Sequence, residues 1–162
     1  MTNLRINGKE CTLDVAPDRT LADVLRNERG LYGVRVSCSE GECGSCTILI
    51  DGKPVTACMV LVNQAEGKDI LTIEGLGTVD HLHPIQEAFI EEQGFQCAFC
   101  TPGFIMSAKA FLDENPDPTE EETAIAMSGN ICRCGAYPYI IQSVLNAARR
   151  LRERDPAAQA SE

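Results

Sequence analysis

The sequence predicts an α+β protein of two parts, a small mixed N-terminal domain followed by an all-α domain that resembles a four-helix bundle. Apolar and polar residues alternate with period two through much of residues 3–73, and from about Thr78 the apolar residues recur at helical spacing. Turn dipeptides and helix-capping residues mark where the individual elements begin and end. A chain of 162 residues is long enough for two small domains, each with its own core.

The N-terminal domain begins with a β-hairpin and continues with a helix. Alternating segments within residues 3–15 flank the dipeptide Asn7-Gly8, which is typical of a type I′ turn. Thr20 then has the side-chain oxygen of a helix N-cap, and Asp23 lies three residues later as an acidic capping-box partner. We therefore expect a hairpin and a helix before the first cysteine-rich segment.

A second hairpin follows that segment and turns at Asp51-Gly52. Short apolar stretches predict strands over residues 48–50, 55–58, 60–62 and 70–73. Hairpin, helix, loop and hairpin together form a compact α+β unit that ends near Gly75.

Four helices are predicted in the second half, because each apolar stripe there follows a start signal. These signals are Pro84, Thr101-Pro102, the capping pair of Thr119 and Glu122, and Tyr137-Pro138. Tight connections between short amphipathic helices favour a small bundle. The predicted division of the chain is a first domain over 1–76, a linker over 77–83, a helical domain over 84–151 and a polar C-terminal tail over 152–162.

Charge restricts the partners that the chain can bind. The 24 acidic and 14 basic side chains give a net charge of −10, which disfavours nucleic acid and anionic membranes. No apolar run approaches the length of a membrane span, and the N-terminus lacks the pattern of a signal peptide. We therefore expect a cytoplasmic protein with no membrane span.

Nine cysteines require either disulfides or metal, and the expected reducing compartment favours metal. Eight of them fall into two groups of four. Cys11 belongs to neither group. Apolar and polar residues alternate around it, which predicts a small, buried strand residue.

The first group has the C-x4-C-x2-C spacing that is typical of plant-type [2Fe–2S] sites. It consists of Cys38, Cys43 and Cys46, with Cys58 as the fourth ligand after the second hairpin. Gly41 and Gly44 permit backbone conformations that bring amide N–H groups toward a cluster. Zinc also binds four cysteines, but zinc sites usually consist of paired C-x2-C motifs, so the spacing favours iron–sulfur.

The second group is ambiguous when it is taken alone. It consists of Cys97, Cys100, Cys132 and Cys134. A C-x2-C with a C-x-C could hold structural zinc, and Cys97 with Cys100 could form a thioredoxin-type redox pair, although no parallel βαβ pattern surrounds them. A Rieske site would need two histidines at ligand spacing, whereas His81 and His83 lie together in the linker.

Taken together, these motifs make the chain resemble the iron–sulfur subunit of the xanthine oxidase family of molybdenum hydroxylases over residues 3–150. The resemblance rests on C-x4-C-G-x-C-T from Cys38, on Cys58, on Q-C-x-F-C-T-P-G from Gln96, and on G-N-I-C-R-C from Gly129. It implies a β-grasp ferredoxin-like domain followed by a helical domain, with one [2Fe–2S] cluster in each. Ala98 stands where the family frequently has glycine.

The resemblance also implies partners and a direction of electron flow. Electrons would leave a molybdopterin centre on a large subunit, pass the helical-domain cluster and then the ferredoxin-domain cluster, and reach FAD on a medium subunit or another acceptor. By position, Gln96 would hydrogen-bond the pterin and Cys134 would be the ligand nearest to it. The expected assembly is a heterotrimer or a dimer of heterotrimers.

Three functions remain to be compared at this stage. The chain could be the electron-transfer subunit of such an oxidoreductase, a free two-cluster ferredoxin, or a zinc-stabilised interaction module. A chain of 162 residues has no room for a molybdenum or FAD domain, so it would not be catalytic alone. Two distinct clusters would exclude the zinc module, and co-purification with larger subunits would exclude the free ferredoxin.

Overall fold

The computed structural model of the protein describes residues 1–154 and has the predicted α+β class. Its N-terminal part is a five-stranded mixed sheet in the order β2-β1-β5-β3-β4. The strands are β1 (Thr2–Ile6), β2 (Lys9–Leu13), β3 (Thr47–Ile50), β4 (Lys53–Thr56) and β5 (Asp69–Leu71). β1 and β5 are parallel and the other neighbouring pairs are antiparallel.

Both predicted hairpins form with the predicted turns. Asn7 and Gly8 have φ angles of 49° and 76°, and Asp51 and Gly52 have φ angles of 50° and 78°. Positive φ at both central residues is the signature of a type I′ turn, whose twist matches that of the flanking strands. The dipeptides therefore fix the register of β1 with β2 and of β3 with β4.

Helix α1 (Leu21–Asn27) packs on this sheet and begins where the sequence predicts. The Thr20 hydroxyl accepts the N–H of Asp23 at 3.2 Å, as an N-cap should. The Asp23 carboxylate does not complete the expected capping box, because it accepts a hydrogen bond from Arg19 at 2.6 Å instead. Burial of one face of α1 against β1, β3 and β5 creates the N-terminal core.

Three strand predictions are wrong, wholly or in part. The strand predicted over 55–58 ends at Thr56, and Ala57–Met59 form a 3₁₀ turn. Residues 60–62 do not form a strand: Leu61 makes one isolated bridge with Thr20, and Val62 begins a short 3₁₀ helix (Val62–Ala65). The backbone of this segment pairs with the chain that enters α1, because Leu21 N–H donates to Val60 O at 2.7 Å. The strand predicted over 70–73 ends at Leu71, and Ile73 starts the short helix α2 (Ile73–Leu76).

The C-terminal part contains the four predicted helices around a separate core. They are α3 (Pro84–Glu91), α4 (Thr101–Glu114), α5 (Glu120–Met127) and α6 (Tyr137–Arg154). Thr119 and Glu122 form a reciprocal capping box at the start of α5, and His83 caps α3 through its Nδ1 atom. α6 continues to Arg154, beyond the predicted start of the tail at 152, and residues 155–162 lie outside the described part of the chain.

The two parts pack against each other along α4. Leu49 on β3 lies in one buried apolar cluster with Met106 and Ala110 on α4, and α2 covers its side. This contact places the start of α4, and with it Cys100, beside the loop that precedes β3. No helix within residues 1–154 is long and apolar enough to span a bilayer.

Candidate metal centres

The first four cysteines converge at one end of the N-terminal sheet. Cys38, Cys43 and Cys46 belong to the loop between α1 and β3, whereas Cys58 lies in a 3₁₀ turn (Ala57–Met59) after β4. The N–H of Ala57 donates to the carbonyl of Cys46 at 3.3 Å, which holds the two segments together. The hairpin β3–β4 therefore returns Cys58 to the loop, as its position after the turn predicts.

The thiols of this set lie as two contacting pairs with different surroundings. Cys38 contacts Cys43, and Cys46 contacts Cys58, each within hydrogen-bonding distance. The Sγ of Cys38 accepts the N–H groups of Glu40 and Cys43 at 3.4 and 3.5 Å, and this lowers its pKa to about 7. Burial raises the pKa of Cys46 to about 12. The outer thiol, Cys38, therefore ionises readily. The inner thiol, Cys46, resists ionisation and must lose its proton to bind iron.

Two glycines give the loop its shape. Gly41 and Gly44 have φ angles of 80° and 67°, in the region where a side chain is strained. A Cβ on Gly41 would lie 2.8 Å from Cγ of Met59, and one on Gly44 would lie 2.6 Å from Nδ2 of Asn130. Both positions therefore need glycine for the backbone angle and for the close approach.

The second four cysteines converge at the ends of three helices. Cys97 and Cys100 lie just before α4, with Cys100 at its N-cap, and Cys132 and Cys134 lie between α5 and α6. Cys97 contacts Cys134, and Cys100 contacts Cys132, again within hydrogen-bonding distance. Cys97 and Cys134 are exposed, whereas Cys100 and Cys132 are buried. One edge of this set is therefore open at the surface.

The electrostatics of the second set follow the same division between inner and outer thiols. Burial raises the pKa of Cys100 to about 12. Burial also acts to raise the pKa of Cys132, but the N–H groups of Ala136, Cys134 and Gly135 and the Cys100 thiol outweigh it, so the pKa is lowered. The N–H of Phe99 is the main cause of the lowered pKa of Cys97.

Four thiols in two contacting pairs fit a two-iron cluster, in which each iron takes two thiolates. Within residues 1–154 no three or more Cys, His, Asp or Glu side chains form a group that could hold a metal ion on its own. At the second set the hydroxyl of Thr101, next to Cys100, is buried without a hydrogen-bond partner. Such a donor would be satisfied by an acceptor such as cluster sulfur between the thiols. The residues present therefore fit a [2Fe–2S] group.

Comparison with known proteins agrees with this geometry. Residues 4–72 match the family described as "2Fe-2S iron-sulfur cluster binding domain", and residues 72–145 match "[2Fe-2S] binding domain". The chain is 46% identical to the nicotinate dehydrogenase small FeS subunit of Eubacterium barkeri, over 91% of this chain and 94% of that one. It is also 46% identical to the nicotine 6-hydroxylase small subunit of Paenarthrobacter nicotinovorans, over 90% and 87% respectively. The chain belongs to the iron–sulfur subunits of the xanthine oxidase family.

Solved structures extend the likeness of this iron–sulfur subunit to its whole fold. Quinoline 2-oxidoreductase from Pseudomonas putida 86 contains a chain that is 42% identical, with a TM-score of 0.90 over 94% of this chain and 96% of that one. The aldehyde oxidoreductase of Desulfovibrio desulfuricans is 44% identical with a TM-score of 0.91, but this subunit covers only 17% of that longer chain. The ferredoxin-like and helical arrangement is thus shared with a free-standing subunit and with part of a larger enzyme.

Membership in this family gives the iron–sulfur subunit its general role. It carries two [2Fe–2S] clusters and transfers electrons as a non-catalytic subunit of a molybdenum-containing oxidoreductase. The zinc module and the thioredoxin-type pair are therefore set aside. His83 caps α3. Cys11 lies on strand β2 as predicted, but it is half-buried rather than buried and packs against the edge of the N-terminal core.

Several residues of the iron–sulfur subunit join the two cysteine sets. The sequence predicts Arg35 near the first cluster, but sequence reasoning did not find any of these contacts between the two sets. The side chain of Asn130 donates to the carbonyl of Gly44 at 2.9 Å, and Ile131 N–H donates to the carbonyl of Cys43 at 2.9 Å. The guanidinium of Arg35 lies 5.8 Å from the centre of the Phe99 ring. Asn130 lies within the quoted G-N-I-C-R-C motif, but its partner is 86 residues away along the chain.

Proposed function

We propose that this subunit takes electrons from the molybdopterin centre of the larger subunit at its second cysteine set and releases them at its first. The second set would consist of Cys97, Cys100, Cys132 and Cys134, and the first of Cys38, Cys43, Cys46 and Cys58. A bound [2Fe–2S] cluster accepts and returns one electron at a time. The observation that carries this direction is the open edge of the second set, where two of four thiols are exposed.

The pairing of the thiols supports a specific assignment of ligands to each iron. In the first set Cys38 would share one iron with Cys43, and Cys46 would share the other with Cys58. In the second set Cys134 would share an iron with Cys97. This leaves the buried pair Cys100 and Cys132 for the inner iron.

The surface around Cys97 and Cys134 has the character of a protein interface. Phe99 and Ile131, which adjoin Cys100 and Cys132 in the chain, are 41% and 50% exposed, although each is a large hydrophobic side chain. Exposed apolar side chains on both cysteine segments of the second set fit a contact with a partner protein. Gln96 is also exposed beside Cys97, and its amide would donate to the pterin across this interface.

The first set supports an outlet on a different part of the surface. Cys38 and Cys43 are half-buried, and the loop residues Ser39, Glu40 and Glu42 around them are exposed. We propose that this loop faces an FAD-binding medium subunit or another acceptor. The assembly would then be a heterotrimer or a dimer of heterotrimers in the cytoplasm.

The proposed domain division follows from the same relay. The first domain would span 1–76, the linker 77–83 and the helical domain 84–151. The change of family match at residue 72 and the separate cores of the two parts support this division. The hydrogen bond from Ile131 to Cys43 supports a close approach of the two clusters, because Ile131 immediately precedes Cys132.

Substrate choice would belong to the larger subunit and not to this one. Relatives with 46% identity are named for different reactions, a nicotinate dehydrogenase in Eubacterium barkeri and a nicotine 6-hydroxylase in Paenarthrobacter nicotinovorans. A relay subunit can serve such different reactions unchanged, because it transfers only electrons.

The test is to purify the natively expressed complex and to compare three versions of this subunit. The wild type should contain about four iron atoms per subunit and give two paramagnetic signals on reduction. Cys134→Ser should stop reduction of the first cluster by substrate, whereas dithionite should still reduce it. Cys11→Ser, outside both sets, should behave as wild type.

Two results would contradict the proposal. One is normal substrate-driven reduction of the first cluster in the Cys134→Ser complex. The other is elution of the subunit alone at 17.6 kDa, which would favour a free ferredoxin.

A further inference from the structure

We infer that Asn130 is a positioning residue for the first cluster, although it lies two residues before Cys132 of the second set. This inference rests on the proposed ligand assignment. It adds that a residue of the helical domain, which carries the second cysteine set, controls the geometry of the first set. The side chain of Asn130 is only 4% exposed, and both ends of its amide are occupied. Its role therefore depends on the groups to which its amide nitrogen and amide oxygen are hydrogen-bonded.

The amide nitrogen of Asn130 binds the centre of the first cysteine loop. It donates to the carbonyl of Gly44 at 2.9 Å, between Cys43 and Cys46. The amide oxygen accepts the hydroxyl of Ser107 on α4 at 2.7 Å, which fixes the orientation of the side chain. Asn130 thus connects the helical domain to the loop through a buried amide whose nitrogen and oxygen are both hydrogen-bonded.

The backbone next to Asn130 holds the neighbouring peptide of the same loop. Ile131 N–H donates to the carbonyl of Cys43 at 2.9 Å, so two successive loop carbonyls point at the segment before Cys132. In a trans peptide the C=O and the following N–H point in opposite directions. The N–H groups of Gly44 and Ser45 are therefore held pointing away from the helical domain.

The packing around Gly44 leaves no room for a side chain. A Cβ on Gly44 would lie 2.6 Å from Nδ2 of Asn130, and a Cβ on Gly103 of α4 would lie 2.3 Å from the carbonyl oxygen of Gly44. The Gly44 carbonyl also accepts the backbone N–H and the hydroxyl of Thr47, at 3.1 and 2.7 Å. Thr47 therefore bonds the Gly44 carbonyl from within the N-terminal domain, and Asn130 bonds it from the helical domain.

Loss of the Asn130 amide should therefore act on the first cluster more than on the second. The Gly44 carbonyl would keep only its two bonds from Thr47, so the peptides on either side of Gly44 would be held less firmly and their N–H groups would be less well aligned toward a bound cluster. Fewer aligned N–H groups make a reduced cluster less stable, so the reduction potential of the first cluster should become more negative. The four ligands of the second set keep their own contacts.

The experiment uses the intact complex with Asn130→Ala, Asn130→Asp and Ser107→Ala subunits. Asn130→Asp keeps the acceptor for Ser107 but removes the donor to Gly44, whereas Ser107→Ala leaves that donor in place. We expect both Asn130 variants to lose iron from the first cluster to a chelator about tenfold faster. Its midpoint potential, followed by its paramagnetic signal, should become more negative, and Ser107→Ala should change little.

The outcomes separate this inference from the proposed function. If wild type lacks two clusters, the proposed ligand assignment fails. If wild type holds both, but Asn130→Asp changes only the second cluster or neither, the positioning role of Asn130 is refuted. If Asn130→Ala does not assemble, the Asn130→Asp and Ser107→Ala pair still decides, because the two differ in the bond to Gly44.

Discussion

Each cysteine set brings four thiols together, but one set is built mainly from a loop and the other from the ends of helices. In the first, three cysteines share a loop whose glycines at positions 41 and 44 adopt positive φ, and a hairpin returns the fourth. In the second, two short pairs are brought together by the ends of three packed helices. The first set keeps its inner pair buried and its outer pair half-buried, whereas the second leaves two thiols exposed.

This difference teaches that loop-built and helix-built sites depend on different parts of the chain. The helix-end site takes its buried ligands from its own bundle, whose core includes Cys100 and Cys132. The loop-built site needs its own sheet and also a contact from the neighbouring domain at Gly44. The dependence between the two halves is therefore expected to be unequal.

The largest expected effect is the loss of one cluster when an inner ligand is changed. Cys46→Ser should remove the first paramagnetic signal, and Cys100→Ser should remove the second, because each buried thiol is one of only four ligands. Iron content should fall by about half in each variant. Electron paramagnetic resonance of the reduced proteins measures both outcomes.

An unequal dependence of the two sites on each other would appear in the paramagnetic signal of the cluster that each variant keeps. The first cluster should be perturbed in Cys100→Ser, because α4 contacts its loop. The second should be unchanged in Cys46→Ser. Equal perturbation in the two variants would refute the asymmetry.

The next effect concerns the contact between Gly44 and α4. Gly44→Ala should lower the free energy of unfolding by roughly 3 kcal/mol, because it combines a positive φ with a clash. Gly52→Ala has a similar φ of 78° and open space, so it should cost only about 1–2 kcal/mol. Denaturant unfolding of the two variants measures this difference.

A second pair of variants removes the backbone strain from the comparison. Gly103→Ala would place its Cβ against the loop, whereas Gly129→Ala meets nothing within 4 Å. Gly103→Ala should destabilise the protein and broaden the signal of the first cluster. Identical behaviour of these two variants would show that the loop does not rest on α4.

The smallest expected effect is a pH dependence that belongs to the helical domain. Burial lowers the pKa of His83 below 6.5, and its Nδ1 accepts the N–H of Ile85, which requires the neutral ring. Below pH 6.5 the unfolded chain takes up a proton on His83 that the folded chain resists. The free energy of unfolding therefore decreases as the pH is lowered, until the pKa of His83 in the folded state is reached. Partial exposure keeps the slope well under the limit of about 1.4 kcal/mol per pH unit.

Replacement of His83 by asparagine provides the control for this dependence. Asparagine also caps helices, but it does not titrate. The unfolding midpoint of His83→Asn should therefore vary less than that of wild type between pH 5 and 7. A variant that keeps the full pH dependence would assign it to other groups.

Local signals were enough to predict most of the fold. The type I′ dipeptides and the caps at Thr20, His83 and Thr119 act within a few residues, so the elements that they mark are present. Residues 60–62 do not form the predicted sheet strand, because a short apolar stretch has the same composition whether it pairs with a strand or with the entry of a helix. An apolar stretch indicates that a segment is extended and partly buried, and it does not identify the segment's partner.

The candidate sites were predictable to the same extent. Cysteine spacing grouped the eight thiols, and the structure brings the thiols of each group into contact. The exposure of Cys97 and Cys134 depends on how the helices pack, which spacing does not determine. The bond from Asn130 to Gly44 joins residues 86 positions apart, and no local pattern encodes such a contact.

The position of β5 has a consequence for the order in which the subunit is made. β5 lies between the two hairpins and is the last strand to leave the ribosome, so the sheet stays in two separate pieces until residue 71 has emerged. All four cysteines of the first set are synthesised earlier, and α4, which covers their loop, is synthesised later still. Iron delivered during translation would meet an open loop, whereas iron delivered to the finished chain would meet one that is already closed by its neighbour.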